Sequence, residues 1–218
     1  MSEVTQPRQR RRRGRKEELV AVAARLFATR GYRSVGVDDI GEALGLTGPA
    51  IYRHFPSKEA LLVAVFDGVI SDNLVRIREI VAEMPDPEEA LKTMIAHHCR
   101  FVLEQTENLM TWRQEARNLP EDEGRRLRRL QRMYVEEWVH VISELRPDLS
   151  DVEVRTVAHA AITLLQSPSE YHSGLHDERM MDVLAQMALA AIEGAPPAGG
   201  WPAGRPRHNI VPLSSSRK

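Results

Sequence analysis

The chain has 218 residues, of which 42% are hydrophobic and 28% are charged, a balance typical of a water-soluble protein with a sizeable core. Its single cysteine, Cys99, excludes an intramolecular disulfide framework and an all-cysteine metal cage. No apolar run approaches the roughly 18 residues of a membrane span, and no apolar stretch follows the basic N-terminus as in a signal peptide. We therefore expect a cytoplasmic protein.

Charge is distributed asymmetrically along the chain. Residues 1–60 hold 12 Lys and Arg against 7 Asp and Glu, a net of +5, and the remainder holds 18 against 24, a net of −6. The two parts sum to the formal net charge of −1. Positive charge gathered at one end suits a polyanionic partner, because each neutralised phosphate releases condensed counterions. A merely solubilising tail is the alternative at this point.

The two ends of the chain lack the apolar periodicity of a folded segment. Residues 1–14 include the arginine run 10–13 and are predicted to form a disordered basic arm. Residues 195–218 hold five prolines, three glycines and a serine run, a composition that cannot build a core. This segment is predicted to be a disordered tail.

Between these ends, apolar residues recur with helical periodicity, and no alternating strand pattern extends over more than a few residues. In the first helix they follow the spacings i, i+3, i+4, i+7 and i+8, as Leu19, Val22, Ala23, Leu26 and Phe27. We predict an all-α fold of about nine helices.

Capping residues, first-turn prolines and first-turn acids divide the helical region into segments. The first predicted helix ends before Gly31. The others are Val37–Leu44, a third helix capped by Thr47 and reaching Phe55, and six longer or intermediate ones bounded by Ser57 and Met84, Asp86 and Thr106, Leu109 and Asn118, Pro120 and Leu145, Ser150 and Pro168, and Asp177 and Ile192.

The segment VDDIGEALGLTGPAIYRHFPSKEAL, residues 37–61, has the physical features of a helix-turn-helix. Gly45 allows a sharp turn that sets two short helices at a steep angle. Ile51 and Phe55 are predicted to face inward, which leaves the small and polar residues of the third helix on the outside. Small residues at its leading end would let this helix enter a major groove about 12 Å wide, where polar residues reach phosphates.

Residues 15–61 resemble the DNA-binding domain of the TetR/AcrR family of bacterial repressors. The resemblance rests on three motifs, namely LVAVAARLFATRGY, VDDIGEALGLT and IYRHFPSKEAL. It implies an Ω-shaped homodimer in which residues 15–61 form a DNA-binding head and residues 62–194 form a ligand-binding and dimerisation body. The arm and the tail, residues 1–14 and 195–218, flank them. Two-fold symmetry implies a palindromic operator in double-stranded DNA.

Carried over residue by residue, the resemblance implies DNA contacts for Thr47, Gly48, Pro49, Ala50, Tyr52, Arg53, His54 and Lys58. Gly48, Pro49 and Ala50 would lie over base edges, where Arg53 could assist them, and the others would bind backbone phosphates. Packing of Tyr52 under Phe55 and a solvent-facing His54 are the alternatives. The family commonly has Thr or Ser where this chain has Gly36, so that phosphate contact is not expected here. Residues 10–16 are hypothesised to follow the duplex into a neighbouring minor groove, as homeodomain arms do.

The last two helices are predicted to pair with those of a second copy, because the resembled family dimerises there, and an intramolecular core is the alternative. The predicted ligand site lies among the fourth to eighth helices. Its candidate residues are aromatic or polar, namely His97, His98, Phe101, Trp112, Arg113, Arg117, Tyr134, Trp138, Gln166 and Tyr171. Such a lining suits an apolar ligand with a polar handle. The segment TWRQEARNLP resembles regulators of acyl-CoA and lipid catabolism, which implies that Arg113 or Arg117 meets a phosphate or carboxylate.

The sequence thus predicts a repressor released from its operator when an apolar or acyl-CoA-like effector shifts the spacing of the two heads. A different lipophilic or drug-like effector is the alternative, and a protein that binds an anionic membrane surface through its basic arm is a second one. No motif of an enzyme active site is present. No cofactor and no metal site are expected, because adjacent helical residues such as His97 and His98 diverge by about 100°.

Overall fold

The computed structural model describes the backbone of residues 6–171 and 174–196 and the side chains of residues 14–171 and 174–196. Within these ranges the chain forms nine α-helices and no strand, which confirms the predicted all-α fold. The helices are α1 Gln6–Arg30, α2 Val37–Leu44, α3 Gly48–Tyr52, α4 Lys58–Glu83, α5 Pro87–Glu104, α6 Thr106–Glu115, α7 Glu121–Leu145, α8 Asp151–Leu165 and α9 Asp177–Glu193.

Local side-chain hydrogen bonds determine where several helices begin. The Ser57 hydroxyl accepts a hydrogen bond from the Ala60 amide at 3.1 Å, which caps α4. Asp86 accepts the Glu88 amide at 3.2 Å at the start of α5. Ser150 donates its amide and its hydroxyl to the Glu153 carboxylate, at 2.8 and 2.6 Å. These three predicted helix starts are confirmed.

Helix α1 extends further towards the N-terminus than predicted. It begins at Gln6, so the disordered arm predicted for residues 1–14 is wrong over residues 6–14. Arginine and glutamine are good helix formers, and Pro7 lies in the first turn, where its missing N–H removes no helical hydrogen bond. Residues 1–5 and the predicted tail from residue 197 onward lie outside the described residues.

Three other helices have bounds that differ from the prediction. Helix α3 ends at Tyr52 rather than reaching Phe55. Helix α6 spans Thr106–Glu115 and continues as a 3₁₀ turn over Ala116–Asn118, so it begins three residues before Leu109. Helix α8 ends at Leu165 and is followed by a 3₁₀ turn over Ser167–Ser169. Pro168 disfavours the α conformation of the residue before it, which explains the earlier end.

The buried side chains form two clusters. The head cluster contains the apolar faces of α1, α2 and α3 together with the first two turns of α4. It also includes Leu119, which precedes α7, and Leu127, which lies within α7. Their side chains are 8% and 0% exposed. The body cluster is built from α4, α5, α7, α8 and α9 around the fully buried Trp138. The head is therefore packed directly on the body.

None of the helices within the described ranges is long and apolar enough to cross a membrane.

Candidate DNA-binding surface and ligand cavity

The turn between α2 and α3 depends on two glycines. Gly45 has φ +63°, a left-handed conformation that glycine adopts without steric cost. The Leu46 amide donates to the Gly41 carbonyl at 2.8 Å. A Cβ at Gly41 would lie 2.6 Å from the Leu46 carbonyl oxygen, so the chain can fold back this closely only without a side chain there.

Helix α3 presents one face to the head core and the other to the outside. Ile51 and Phe55 are 1% and 4% exposed, which confirms that they face inward. Tyr52 is 53% exposed, so it is not buried under Phe55. The head therefore displays the outer face of a short helix, the geometry that a major groove accepts.

The leading end of α3 is small and largely exposed. Thr47 is the residue preceding the helix, but its hydroxyl makes no capping hydrogen bond, so the predicted side-chain cap is wrong. The backbone amides of Ala50 and Ile51 bond to the Thr47 carbonyl instead, at 2.8 and 3.4 Å. Gly48 lies close to the Asp38 carboxylate, which a Cβ at this position would approach to 2.7 Å.

A shallow groove of about 410 Å³ runs beside α3 and gathers basic side chains. Arg53 and His54 line it together with Ala50, Leu46 and Arg15. Arg15 comes from α1 and pairs with Glu18 at 2.8 Å. Arg15 belongs to residues 10–16, which were hypothesised to follow the duplex into a minor groove. Its position beside α3 follows from the packing of α1 in the head, which no local pattern shows.

Lys58, at the start of α4, lies with its ammonium 4.2 Å from the centre of the Tyr32 ring. This cation–π contact and partial burial hold it at the side of the head, and the burial lowers the pKa of Lys58. The predicted phosphate contact of Lys58 remains a prediction.

Asp39 joins the end of α1 to the start of α2. Its carboxylate accepts the Gly36 amide at 2.6 Å and the Arg30 guanidinium at 2.8 Å. These two donors, the Gly36 amide first, hold the pKa of Asp39 below its usual value. Gly36 therefore starts α2 without the hydroxyl that the family commonly has there.

A cavity of about 250 Å³, the inner cavity, lies between α4, α5, α6, α7 and α8. Its lining is mostly apolar and aromatic with some polar groups, namely Phe66, Val69, Ile70, Asn73, His98, Phe101, Asn108, Leu109, Trp112, Gln131, Tyr134, Val135, His159, Ile162, Thr163 and Gln166. Five of the ten predicted ligand residues are brought together here, namely His98, Phe101, Trp112, Tyr134 and Gln166.

The other five predicted ligand residues do not line the inner cavity. His97 lies beside it, with Nε2 2.9 Å from Asn73 Oδ1. Trp138 is completely buried in the body cluster. Arg113 points away and forms an ion pair with Glu170. Arg117 is exposed in the 3₁₀ turn after α6, and Tyr171 is 70% exposed. An acyl-CoA phosphate inside this cavity would therefore not meet Arg113 or Arg117.

The ligand site was expected among the fourth to eighth helices, but none of the predicted ligand residues lies on α4. Phe66, Val69, Ile70 and Asn73 follow the spacings i, i+3, i+4 and i+7 and form one wall of the inner cavity. This periodicity was available in the sequence. What the periodicity could not indicate is that this face borders a cavity rather than a filled core.

The inner cavity contains neutral hydrogen-bonding groups. His98 Nδ1 and the Tyr134 hydroxyl are 2.7 Å apart, and burial lowers the pKa of His98 to about 3, so its ring is neutral. His98 Nε2 and Asn108 Oδ1 are buried and have no hydrogen-bond partner among the described residues. Such atoms are costly unless a ligand or a water satisfies them. In the described part of the chain, no three His, Cys, Asp or Glu side chains are placed to hold a metal ion.

An outward-facing short helix on a three-helix head, packed on a helical body with an internal cavity, defines a DNA-binding transcriptional regulator of the helix-turn-helix class. Two family models match the chain. The one described as "Bacterial regulatory proteins, tetR family" matches residues 19–65, and the one described as "Tetracyclin repressor-like, C-terminal domain" matches residues 84–192. The chain belongs to the TetR family of bacterial regulatory proteins, which are not enzymes, and the predicted membership is confirmed.

Similar proteins include HTH-type transcriptional repressors named KstR2. The one from Mycobacterium tuberculosis H37Rv is 30% identical over 154 residues, which cover 64% of this chain and 73% of the relative. The one from Rhodococcus jostii RHA1 is 39% identical over 82 residues, which cover 38% of this chain and only 40% of that relative.

Solved structures share the fold. The ketosteroid transcriptional regulator KstR2 of Mycobacterium tuberculosis has a TM-score of 0.67 and 26% identity, covering 83% of this chain and 94% of that one. AibR, solved in complex with isovaleryl coenzyme A and operator DNA, has a TM-score of 0.69 and 20% identity, covering 79% of this chain and 97% of that one. At 20% identity the second likeness concerns the fold alone.

Proposed function

We propose that this protein is a homodimeric repressor that binds a palindromic operator and releases it when a small apolar ligand fills the inner cavity. The observation that carries the proposal is the position of Trp112. This residue lines the inner cavity and also packs against the head cluster. A ligand that moves the Trp112 ring therefore changes the support of the DNA-binding head directly.

The outer face of α3 is the proposed recognition surface. Gly48, Pro49 and Ala50 lie over base edges, and Arg53 adds a long basic side chain beside them. Thr47, Tyr52, His54 and Lys58 bind phosphates. The small residues offer no side-chain hydrogen bonds, so readout depends on close backbone approach and on contact with thymine methyl groups. The head, residues 15–61, and the body, residues 62–194, act as the two functional parts.

The proposed dimer uses the outer faces of α8 and α9. Val152 on α8 is 72% exposed, and Met187 on α9 is 51% exposed. Ala188, the next residue along α9, is completely buried in the body cluster, so one face of α9 is buried and another is exposed. Exposed apolar side chains on two adjacent helices are typical of a surface that a second copy covers. Two heads related by a two-fold axis then read two half-sites one or more helical turns apart.

The proposed ligand has an apolar body and a polar handle. The aromatic walls bury the body, and the His98 ring and the Asn108 amide oxygen can satisfy a neutral polar group. AibR, which shares the fold, was solved in complex with isovaleryl coenzyme A and operator DNA, which supports an acyl-CoA as the ligand class. An acyl-CoA is the first candidate, and another lipophilic or drug-like compound is the second.

Selection of bound duplexes from a random DNA pool, followed by gel shifts of the enriched sequence, tests the proposal. We expect enrichment of a palindrome and its release by members of a panel of acyl-CoAs and neutral lipophiles. Failure to bind any duplex at moderate salt would contradict it. Flotation with anionic vesicles, run in parallel, would identify a membrane-surface protein if vesicles bind and DNA does not.

A further inference from the structure

A second depression, here called the basic groove, lies beside the inner cavity between α7 and α8. The basic groove has a volume of about 370 Å³ and is lined by Arg128, Gln131, Arg132, Val135, Glu136, Arg155 and His159. Gln131, Val135 and His159 line both spaces, so the two adjoin at these three side chains. An extended molecule that passes between these side chains would occupy the inner cavity and the basic groove at once.

Two arginines of the basic groove form no ion pair within the described residues. Arg155 forms ion pairs with Glu136 at 2.5 Å and with Asp151 at 3.0 Å, so its charge is neutralised within the protein. Arg128 and Arg132 are exposed, stand one helical turn apart on α7, and form no ion pair within the described residues. They leave a local excess of positive charge beside the inner cavity.

Neighbouring arginines of the same helix behave differently. Arg125 pairs with Glu121 and Asp122, and Arg126 pairs with Asp67 and Glu123. Arg129 also forms no ion pair within the described residues, but it lies outside the lining of the groove, so Arg128 and Arg132 are distinguished by their place in the groove. Guanidinium groups presented in this way suit phosphate, which they bind through paired N–H donors.

On its opposite side the inner cavity adjoins a cleft between the head and the body, which shares Val69, Asn73, Phe101 and Asn108 with it. The charged residues of that cleft are four acids and two cations, namely Glu17, Asp67, Asp72, Glu104, Lys16 and Arg76. An anionic group is repelled on this side. The inner cavity itself has no Lys or Arg in its described lining, so it cannot neutralise an anion either.

We propose that the basic groove is the binding site for the phosphates of the effector, with Arg128 and Arg132 as their ligands. The apolar part of the same molecule fills the inner cavity. The chemical class is an apolar acyl or alkyl group joined by a flexible linker to a phosphate-bearing handle, as in an acyl-CoA thioester. The inference deepens the proposed function and rests on it, and it assigns the anionic contact to residues other than Arg113 and Arg117.

The test compares two thioesters with the same acyl group by isothermal titration calorimetry of the full-length protein. Octanoyl-CoA carries the phosphates, and S-octanoyl-pantetheine does not. We expect octanoyl-CoA to bind at least about tenfold more tightly at low salt, because hydrogen bonds to charged groups contribute that much. The advantage should shrink as salt is raised, since the arginines are exposed.

Matched variants locate the contact. The double variant Arg128→Gln/Arg132→Gln should bind both thioesters with equal affinity. Arg129→Gln, which removes one positive charge next to Arg128 but outside the lining of the groove, should keep the octanoyl-CoA advantage. These residues are exposed, so the variants should fold, and the unchanged binding of S-octanoyl-pantetheine would confirm that they do.

Three results would overturn the inference, namely equal affinity of the wild-type protein for both thioesters, an advantage that survives in the double variant, or no binding of either compound. In each case operator binding measured by gel shift stands as a separate result. A protein that binds octanoyl-CoA through the two arginines but no duplex would support the groove and contradict the proposed function.

Discussion

The Trp112 indole packs edge-to-face on the Phe66 ring, with the ring centroids 5.0 Å apart and the planes at 86°. Phe66 belongs to α4 and is buried in the head cluster, whereas Trp112 belongs to α6. Both rings line the inner cavity. This aromatic pair therefore lies between the proposed ligand cavity and the core of the DNA-binding head.

Replacing Trp112 should uncouple ligand binding from DNA release. Trp112→Leu removes the edge-to-face contact, which contributes about 0.5–1.5 kcal/mol, but keeps an apolar side chain. We expect operator affinity to change little and the effector concentration needed for half-release to rise about two- to tenfold. Gel shifts with an effector titration measure this, and Trp112→Phe, which retains a ring, is the control. Unaltered release in Trp112→Leu would contradict the coupling role.

Lys58 and Tyr52 should affect operator binding in different ways. Lys58→Gln removes one cation, so the slope of log affinity against log salt should decrease by about 0.9. Tyr52→Phe removes a neutral donor, and affinity should fall by up to about tenfold with an unchanged slope. Fluorescence anisotropy across a salt series measures both. An unchanged slope in Lys58→Gln would show that its ammonium only packs on Tyr32.

Two glycine-to-alanine changes should shift stability in opposite directions. Gly41→Ala places a Cβ against the Leu46 carbonyl and should destabilise the protein by about 1–3 kcal/mol. Gly68→Ala, in the middle of α4 with no atom within 4 Å of the added Cβ, should stabilise it by about 0.5–1 kcal/mol. Urea unfolding measures both. If Gly68→Ala also weakens effector-induced release, α4 bends at this residue.

His98 should make folding stability depend on pH. Burial lowers the pKa of His98 from 6.5 to about 3, so between these values the unfolded chain binds a proton that the folded protein does not. Stability should therefore fall as pH is lowered from 6.5 towards 3, by up to about 1.4 kcal/mol per pH unit from this residue.

The measurement is urea unfolding at a series of pH values for the wild type and for His98→Gln. In His98→Gln the free energy of unfolding should depend less steeply on pH. His140→Gln, which replaces an exposed histidine, should keep the wild-type dependence. Identical slopes for the wild type and His98→Gln would show that His98 titrates normally in the folded protein.

A charge on the outer face of α9 should separate the proposed dimer. Met187→Glu would place a carboxylate in the interface, and we expect a monomer in analytical ultracentrifugation and at least about tenfold weaker operator binding. Val75→Glu adds the same charge at an equally exposed apolar residue of α4, where 55% of the side chain is accessible, and should leave a dimer. A dimeric Met187→Glu would place the interface elsewhere.

Local patterns predicted the local features of this molecule. The caps at Ser57, Asp86 and Ser150 use partners two or three residues away, so the sequence contains both members of each hydrogen bond. The inward orientation of Ile51 and Phe55 follows in the same way from their spacing.

Features that depend on distant residues could not be predicted in this way. Arg113 was expected to meet an effector, yet its guanidinium pairs with Glu170, 57 residues further along the chain. The sequence does not distinguish Arg128 and Arg132 from the other arginines of α7. The packing of α8 against α7 places them in the basic groove, beside the inner cavity. Tertiary contacts decide which cations are left to bind a ligand, and the helical periodicity of the sequence does not predict these contacts.

Leu119 and Leu127 have a practical consequence for engineering. Because both are buried in the head cluster, the head shares its apolar interior with a segment that follows it by more than fifty residues. A fragment ending near residue 65 would expose that shared interior to solvent. A chimera that grafts this head onto the effector domain of another regulator would therefore need to transplant the α6–α7 segment as well, or redesign the seam where the two halves meet.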